Sequence, residues 1–211
     1  QSDLFACMHP AHGDVKIPIL APGSVEECFY AAALAVNWAE RYQGPVILMS
    51  EMAQADRGEN IPKPNLDKIK VESRNVYSGD NGFKRYQSWD GTNELTPMPI
   101  PGGSGAYVAN GSEHDEIGDT THLPIHHIRL TERRFNKLKL LDGAHYEIEN
   151  ENSQLIISPW GSSKGPSREA YERLLDDNYD IGWIYSVALN PIPEEVFEAL
   201  KKSKCVLVPE L

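Results

Sequence analysis

The chain has few basic residues and no long apolar run. Its 211 residues include 20 lysines and arginines against 31 aspartates and glutamates, which gives a formal net charge of −11 at pH 7. Nucleic acids and anionic membrane surfaces attract clustered basic side chains, so the sequence indicates neither as a partner. The longest apolar runs, residues 17–21 and 46–49, are far shorter than the roughly 20 residues that cross a membrane. We therefore expect a soluble protein that buries these runs as strands.

Cysteine is also scarce. Cys7, Cys28 and Cys205 form no C-x-x-C pair of the kind that binds zinc or an iron–sulfur cluster. Cys28 lies on the apolar face of a predicted helix and Cys205 opens a predicted strand, so we expect both to be core residues. No signal-peptide pattern follows Gln1, and we expect a reducing, cytoplasmic location.

The first part of the chain has the pattern of a parallel β-α-β crossover. Strands are predicted at residues 17–21 and 46–49. Between them, Ser24 and Glu27 form an S-x-x-E capping box that begins a helix, and Gly44-Pro45 ends it. The carboxyl ends of the two strands would face a ligand crevice.

The last part of the chain has the pattern of a small doubly wound α/β unit with three parallel strands. The strands are predicted at residues 155–158, 184–189 and 205–208, and the helices at 167–178 and 193–202. The Gly161 to Pro166 loop follows a strand and precedes a helix, so its amides suit an anion or a contact with another subunit. It lacks the spacing of a Walker A motif.

The stretch between these units, residues 57–121, is rich in Pro and Gly and shows no sustained periodicity. We predict an irregular β arm that wraps a surface, with short strands at 69–71, 76–77 and 106–108. Five aromatic residues supply apolar area that would hold the arm in place: Tyr77, Phe83, Tyr86, Trp89 and Tyr107.

A helix is predicted after this arm, at residues 130–141, with Thr131 as its cap and Leu138 and Leu141 facing inward. It carries the basic side chains Arg129, Arg133, Arg134, Lys137 and Lys139. We interpret this basic face as the solvated side of a linker helix rather than as a docking surface for anionic groups.

An acidic run within the arm is the first candidate for chemistry. Glu113, His114, Asp115 and Asp119 are ligand types that zinc, iron or manganese accept. An extended chain points adjacent residues to opposite sides, so a metal site here would need His12, Asp14 or the His126-His127 pair as well. A hydrogen-bonded turn, with carboxylates capping backbone amides, needs no further ligand and is the interpretation we favour.

His12-Gly13-Asp14, before the first strand, is the second candidate. Asp14 could orient His12 as a catalytic base, although the same tripeptide is an ordinary turn sequence. His12, Asp14, Glu113 and His114 are therefore the candidate catalytic residues. The sequence predicts no metal site and contains no G-x-S-x-G elbow or dinucleotide fingerprint.

Seven motifs, taken together and in order, resemble the alpha subunit of 2-oxoacid:ferredoxin oxidoreductases, particularly the 2-oxoglutarate type. They are Gln1-Ser2-Asp3-Leu4, His12-Gly13-Asp14, Leu20-Ala21-Pro22-Gly23-Ser24-Val25-Glu26-Glu27-Cys28-Phe29, Pro45-Val46-Ile47-Leu48-Met49-Ser50, Gly111-Ser112-Glu113-His114-Asp115-Glu116 with Gly118, Trp160-Gly161-Ser162-Ser163-Lys164-Gly165, and Val208-Pro209-Glu210-Leu211. The resemblance covers the whole chain, although residues 60–98 are less similar to the family.

The resemblance implies an enzyme that uses thiamine diphosphate to decarboxylate a 2-oxoacid, passes electrons through an iron–sulfur cluster to ferredoxin, and releases an acyl-coenzyme A. Thiamine diphosphate with Mg²⁺ and a [4Fe-4S] cluster would lie mainly on a partner beta subunit in a hetero-oligomer. Coenzyme A would be a co-substrate, and we expect this chain alone to bind no cofactor and to be inactive. The sequence leaves the identity of the 2-oxoacid open.

The resemblance also divides the chain. Residues 1–57 would be the rear half of a pyrimidine-binding α/β domain, 58–141 an irregular connector, and 142–211 a transketolase-C-terminal-like α/β domain. The family's cofactor-activating glutamate and substrate-binding loop would precede Gln1, so we expect a fragment or one piece of a split subunit. Two alternatives remain: a metal-dependent hydrolase that uses the His, Asp and Glu loops, and a non-catalytic α/β interaction module.

Overall fold

The fold, in a computed structural model that describes residues 2–80, 82–87 and 95–210, is α/β. Its helices are α1 (Ser2–Met8), α2 (Val25–Tyr42), α3 (Met52–Ala55), α4 (Pro124–Asn136), α5 (Lys164–Asp176) and α6 (Glu194–Lys202). Its strands are β1 (Ile19–Leu20), β2 (Ile47–Leu48), β3 (Tyr146–Glu149), β4 (Leu155–Ile157), β5 (Ile181–Ser186), β6 (Ala188–Asn190) and β7 (Cys205–Leu207). Short 3₁₀ helices lie at Leu66–Lys68, Lys137–Leu140 and Gly161–Ser163. Within the described residues, none of the helices has the length and apolarity needed to cross a membrane.

The predicted β-α-β crossover at the beginning of the chain is confirmed, because β1 and β2 pair in parallel on either side of α2. The Ser24 hydroxyl accepts the Glu27 N–H at 3.1 Å, as a capping residue should. The reciprocal half of the predicted box is wrong, since the Glu27 carboxylate accepts the Gly23 N–H instead. The helix also ends one residue early: Gln43, not Gly44, takes the left-handed conformation (φ 52°).

The second sheet has the order β3-β5-β4-β7. The three parallel strands predicted from the sequence are its β5, β4 and β7, and β3 is an antiparallel edge strand that the prediction missed. Side chains alternate across the sheet, so Trp183 packs with Tyr171 of α5 on one face and Ile184 packs with α6 on the other. The prediction of Cys205 as a core residue is wrong, because β7 is the other edge and is exposed.

The two sheets are joined by one polypeptide segment. The predicted strand at 184–189 divides after Ser186: β5 stays in the second sheet, and β6 pairs antiparallel with β1. The first sheet therefore has the order β2-β1-β6. One buried cluster runs through both parts and contains Leu20, Trp38, Tyr42, Tyr171, Trp183 and Tyr185. The division at residues 57 and 141 stays a prediction, and β6 links the first and last of the three segments.

The connector is irregular, as predicted, but two of its three predicted strands are wrong. Val76 forms an isolated bridge with Met98, and residues 69–71 and 106–108 form no strand. The reason at 69–71 is a side chain: Asn37 of α2 donates to the Lys70 carbonyl at 2.5 Å and accepts the Glu72 N–H at 3.0 Å. This amide takes the hydrogen bonds that a neighbouring strand would otherwise make.

Aromatic pairs within the connector pack as the sequence predicts. Tyr77 lies 4.2 Å from Phe83, and Tyr86 lies 5.8 Å from Tyr107, between ring centroids. Trp89 lies outside the described residues. The packed pairs indicate that aromatic contacts help to fix an arm that has little regular backbone structure.

The basic helix begins earlier than predicted. Pro124 occupies its first turn, which suits a residue without an N–H, and Thr131 accepts a hydrogen bond from Arg134 instead of capping the helix. Leu141 is buried and Leu138 packs against the core, as predicted. The interpretation of a fully solvated basic face is wrong at Arg133, which is only 9% exposed.

Candidate functional site

A crevice of about 380 Å³ lies at the carboxyl ends of β1, β2 and β4. Ala21, Ile47 and Met49 form its apolar part, and Glu51 and Gln54 contribute polar groups. Open α/β sheets bind ligands at this edge. The sequence predicted this location from the strand ends, although it did not single out Glu51 or Gln54; their position directly after a buried strand was the available signal.

The Gly-Ser turn after β4 forms one wall of the crevice. Gly161 has φ +56°, a conformation that glycine adopts without strain, and the Ser162 N–H donates to the Glu51 carboxylate at 2.8 Å. The turn predicted to suit an anion thus binds a carboxylate of its own chain. The Ser162 hydroxyl oxygen is buried and has no hydrogen-bond partner within the described residues.

The opposite wall is held by Gln54 of α3. Its side chain is buried and donates to the Pro22 carbonyl at 2.6 Å, across 32 residues of sequence. This bond fixes the short helix after β2 against the turn after β1. The half-buried Cys7 also lines the crevice.

A separate ion-paired cluster, which we call the Glu27 joint, is formed by Glu27, His145, Glu147, Lys164 and Tyr185. The Lys164 ammonium lies 2.6 Å from Glu27 Oε1 and 2.7 Å from Glu147 Oε1. The Tyr185 hydroxyl donates to Glu27 Oε2 at 2.6 Å. Because α2 supplies Glu27 and α5 supplies Lys164, the joint fastens the two α/β parts of the molecule together.

The joint shifts the pKa values of its members. The hydrogen bond from His145, with further bonds from Lys164 and Trp183, lowers the pKa of Glu147 to about 2. Burial, together with the neighbouring Glu27 carboxylate, raises the pKa of the Tyr185 hydroxyl above its usual value. Glu147 is thus held ionised and Tyr185 neutral at physiological pH.

The same joint also has metal-ligand spacing. The ligand atoms of Glu27, His145 and Glu147 lie within 4.8 Å of one another. The Lys164 ammonium already lies between the two carboxylates and provides the positive charge that a metal ion would bring. This arrangement is that of an ion-paired structural cluster rather than of a metal site.

The acidic run in the connector is a hydrogen-bonded turn, and this interpretation of the sequence is confirmed. Asp115 Oδ1 accepts the amides of Ile117, Gly118 and Asp119 at 2.9, 3.1 and 3.0 Å. Although desolvation opposes it, these three bonds lower the pKa of Asp115. Within the described residues, the run contains no group with metal-ligand spacing.

The candidate catalytic histidines lie in separate settings. The His114 ring packs against Tyr86 at 4.2 Å between ring centroids and is tilted by 44° to it, and His127 lies 2.9 Å from the carboxylate of Glu113. The bond with His127 is the largest contribution that lowers the pKa of Glu113. His12 and Asp14 are exposed in the turn before β1. A catalytic role for His12, Asp14, Glu113 or His114 stays a prediction.

Parallel strands with a crevice at their carboxyl ends define an open α/β domain as the class of protein. Residues 1–132 match the family model described as pyruvate flavodoxin/ferredoxin oxidoreductase, thiamine diphosphate-binding. The chain belongs to this family, and the resemblance seen in the sequence motifs is confirmed.

Named relatives extend the match beyond residue 132. The chain is 30% identical to 2-oxoacid:ferredoxin oxidoreductase 1, subunit alpha, of Aeropyrum pernix, over 96% of this chain and 33% of that protein. It is 28% identical to the 2-oxoglutarate synthase subunit KorA of Methanocaldococcus jannaschii, over 100% of this chain and 57% of that one. The chain thus spans a third to somewhat over half of the length of these relatives.

A solved structure also matches the whole chain. It is the 2-oxoglutarate:ferredoxin oxidoreductase from Magnetococcus marinus with 2-oxoglutarate, coenzyme A and succinyl-CoA bound. The match has a TM-score of 0.85 and 30% sequence identity, and it covers 100% of this chain and 38% of that chain. The fold described above, including its connector, is therefore the fold of one part of such a protein.

Proposed function

We propose that this chain is part of the alpha subunit of a 2-oxoacid:ferredoxin oxidoreductase. The complex would decarboxylate 2-oxoglutarate oxidatively to an acyl-CoA and pass the electrons to ferredoxin. The observation that carries the proposal is the structural match over the whole chain, with a TM-score of 0.85, to a 2-oxoglutarate:ferredoxin oxidoreductase. Relatives named for 2-oxoglutarate support the choice of substrate over pyruvate.

The crevice at the strand ends fits the aminopyrimidine ring of thiamine diphosphate in its chemistry. Ile47 and Met49 offer an apolar surface to a flat ring, and Glu51 and Gln54 supply polar groups beside it. Thiamine diphosphate, when bound, supplies the carbanion that decarboxylation of a 2-oxoacid requires. The walls of this crevice would hold the ring, and other parts of the complex would complete the site.

Within such a site the contribution of this chain is positioning. Gln54 fixes the turn after β1, and Glu51 ties the loop after β2 to the 3₁₀ helix that precedes α5. The Glu27 joint fastens the two α/β parts to each other through Lys164. A rigid, preformed crevice aligns bound groups without further ordering when a ligand enters.

The other components of the proposal lie on partner chains. A beta subunit would bind the diphosphate with Mg²⁺ and would carry the [4Fe-4S] cluster, because the cysteines here form no C-x-x-C pair. Coenzyme A would enter as the co-substrate, and ferredoxin would dock on the complex. The hetero-oligomer would act in the cytoplasm.

The test is to purify the native complex through an affinity tag on this chain and to measure ferredoxin reduction. We expect reduction that requires both 2-oxoglutarate and coenzyme A, and a kcat/KM at least 10-fold lower with pyruvate. Omission of thiamine diphosphate during reconstitution should abolish the reduction. A complex that reduces ferredoxin with none of several 2-oxoacids would overturn the proposal, and a preference for pyruvate would overturn the substrate assignment alone.

A further inference from the structure

Two buried arginines meet at one threonine, far in sequence from the crevice residues. Arg85 and Arg133 are 7% and 9% exposed. The Thr96 hydroxyl accepts from Arg85 Nη1 at 2.9 Å and from Arg133 Nη2 at 3.0 Å, and it donates its own proton to the Arg85 carbonyl at 2.6 Å. A single neutral hydroxyl is therefore shared by two guanidinium groups.

Among the described residues, neither guanidinium group has a countercharge. The remaining partners of Arg85 are the Thr96 carbonyl and the Gln43 side-chain oxygen, which are neutral. The Nε atoms of Arg85 and Arg133 are buried and make no hydrogen bond within the described residues. No carboxylate in residues 2–80, 82–87 or 95–210 pairs with either group. Burial of an ionised group without a partner of opposite charge is strongly unfavourable.

A third cation lies one helical turn further along. The Lys137 ammonium lies 4.0 Å from the centroid of the Tyr42 ring, and Arg85 lies 5.8 Å from that of Tyr86. Burial, with repulsion from Arg133 and Arg85, lowers the pKa of Lys137 to about 8. Burial and repulsion from Arg85 also lower the pKa of Arg133 to about 10. Aromatic faces attract these cations but do not neutralise them.

A groove of about 580 Å³ adjoins these side chains; Gln43 and Leu95 line it, and none of the three cations is among its lining residues. The Gln43 side chain also accepts from Arg85 at 2.6 Å, so one side chain separates the groove from the guanidinium group. The three acids of the groove are already paired with arginines: Glu40 with Arg74, and both Glu72 and Asp142 with Arg41. They therefore oppose an incoming anion less than free carboxylates would.

We propose that Arg85, Arg133 and Lys137, which we call the arginine cluster, bind one small oxyanion of the phosphate or carboxylate type. A planar guanidinium group can donate two parallel hydrogen bonds to two oxygen atoms of such an anion. The Nε–H groups of Arg85 and Arg133 make no hydrogen bond within the described residues and are free to donate. The anion supplies the negative charge that the described chain does not place there. This site is separate from the crevice at the strand ends and from the Glu27 joint.

Inorganic phosphate is the probe, and equilibrium dialysis of the native complex with labelled phosphate is the measurement. Arg133→Met should remove one bound phosphate per copy of this chain, or raise the Kd of that phosphate at least 10-fold. Arg134→Met is the matched control, because Arg134 lies on the same helix, is outside the cluster, and donates a hydrogen bond to its neighbour Thr131. It should leave the count unchanged. An equal count in wild type and Arg133→Met would overturn the proposal.

Thermal unfolding gives a second readout that separates an anion site from a purely structural cluster. At equal ionic strength, phosphate in place of chloride should raise the Tm of the wild-type complex by about 3 °C and leave Arg133→Met unchanged. If Arg133→Met fails to fold, Lys137→Met at the less buried end of the cluster should show the same loss of the phosphate effect. A wild-type Tm that is equal in phosphate and chloride would count against the site.

Discussion

The Glu27 joint and the arginine cluster are both partly or fully buried groups of charged side chains, but their charges are arranged in opposite ways. In the joint, the Lys164 ammonium contacts two carboxylates within 2.7 Å. In the cluster, Arg85 and Arg133 share a neutral hydroxyl, and the neighbouring Lys137 adds repulsion. The difference indicates that the joint is neutralised by its own side chains, whereas the described residues place no anion at the cluster.

The largest effect should follow from removal of the shared cation of the joint. Lys164→Met leaves Glu27 and Glu147 close together without a countercharge, so we expect a loss of about 3 kcal/mol in the free energy of unfolding. Urea denaturation measures it. Lys139→Met, which removes an exposed lysine, is the control and should change stability little. A loss below about 1 kcal/mol for Lys164→Met would mean that the joint is less tightly coupled than its distances indicate.

The loss of stability at acid pH should come mainly from the Glu27 joint. Glu147 has an ordinary pKa of 4.5 that the folded state lowers to about 2, so its contribution is complete above pH 4.5 and is lost as pH falls towards 2. We expect this group to account for about 2 kcal/mol, reduced by its partial exposure. Glu147→Gln should flatten the stability profile in that range. If the free energy of unfolding of Glu147→Gln falls with pH as steeply as that of the wild type, the loss of stability at acid pH comes from other carboxylates.

At alkaline pH the arginine cluster should control how the free energy of unfolding changes with pH. There the deprotonated form of Lys137, not the protonated form, is favoured by burial in the folded state. The folded state lowers the pKa of Lys137 from 10.5 to about 8, so between these values the unfolded chain holds a proton that the folded chain has released. Stability should therefore rise with pH across this range, by on the order of 1 kcal/mol in the absence of an anion. Lys137→Met should abolish the rise. Bound phosphate should reduce it too, because an anion favours the charged ammonium.

The sequence predicts the short-range features of the fold but not the long-range contacts that form the joint and the cluster. The Ser24 cap, the parallel crossover and the three parallel strands follow from short-range patterns. The joint unites residues 137 positions apart, Glu27 and Lys164, and nothing local to either residue specifies the pairing. The exchange of β6 into the first sheet depends in the same way on packing across the whole chain.

The same reasoning explains the errors in the basic helix and the candidate site. The basic side chains near Arg133 indicate a solvated face, and only the distant Thr96 shows that Arg133 is buried. Glu51 and Gln54 could have been predicted from the sequence, because they follow the strand whose end was expected to face a ligand. The acidic run was interpreted correctly as a turn because its bonds, from Asp115 to residues two to four positions on, are local.

The turn at Asp115 is a third arrangement of charge, in which a carboxylate accepts hydrogen bonds from neutral backbone amides. Its removal should have the smallest effect on stability. Asp115→Ala removes the acceptor of three N–H groups, so exchange of the Ile117 and Asp119 amides should become about 10-fold faster, with little change in global stability. Hydrogen exchange resolved by residue measures it. Asp119→Ala, which keeps the acceptor, is the control. Equal exchange in Asp115→Ala and wild type would show that the backbone holds the turn without the carboxylate.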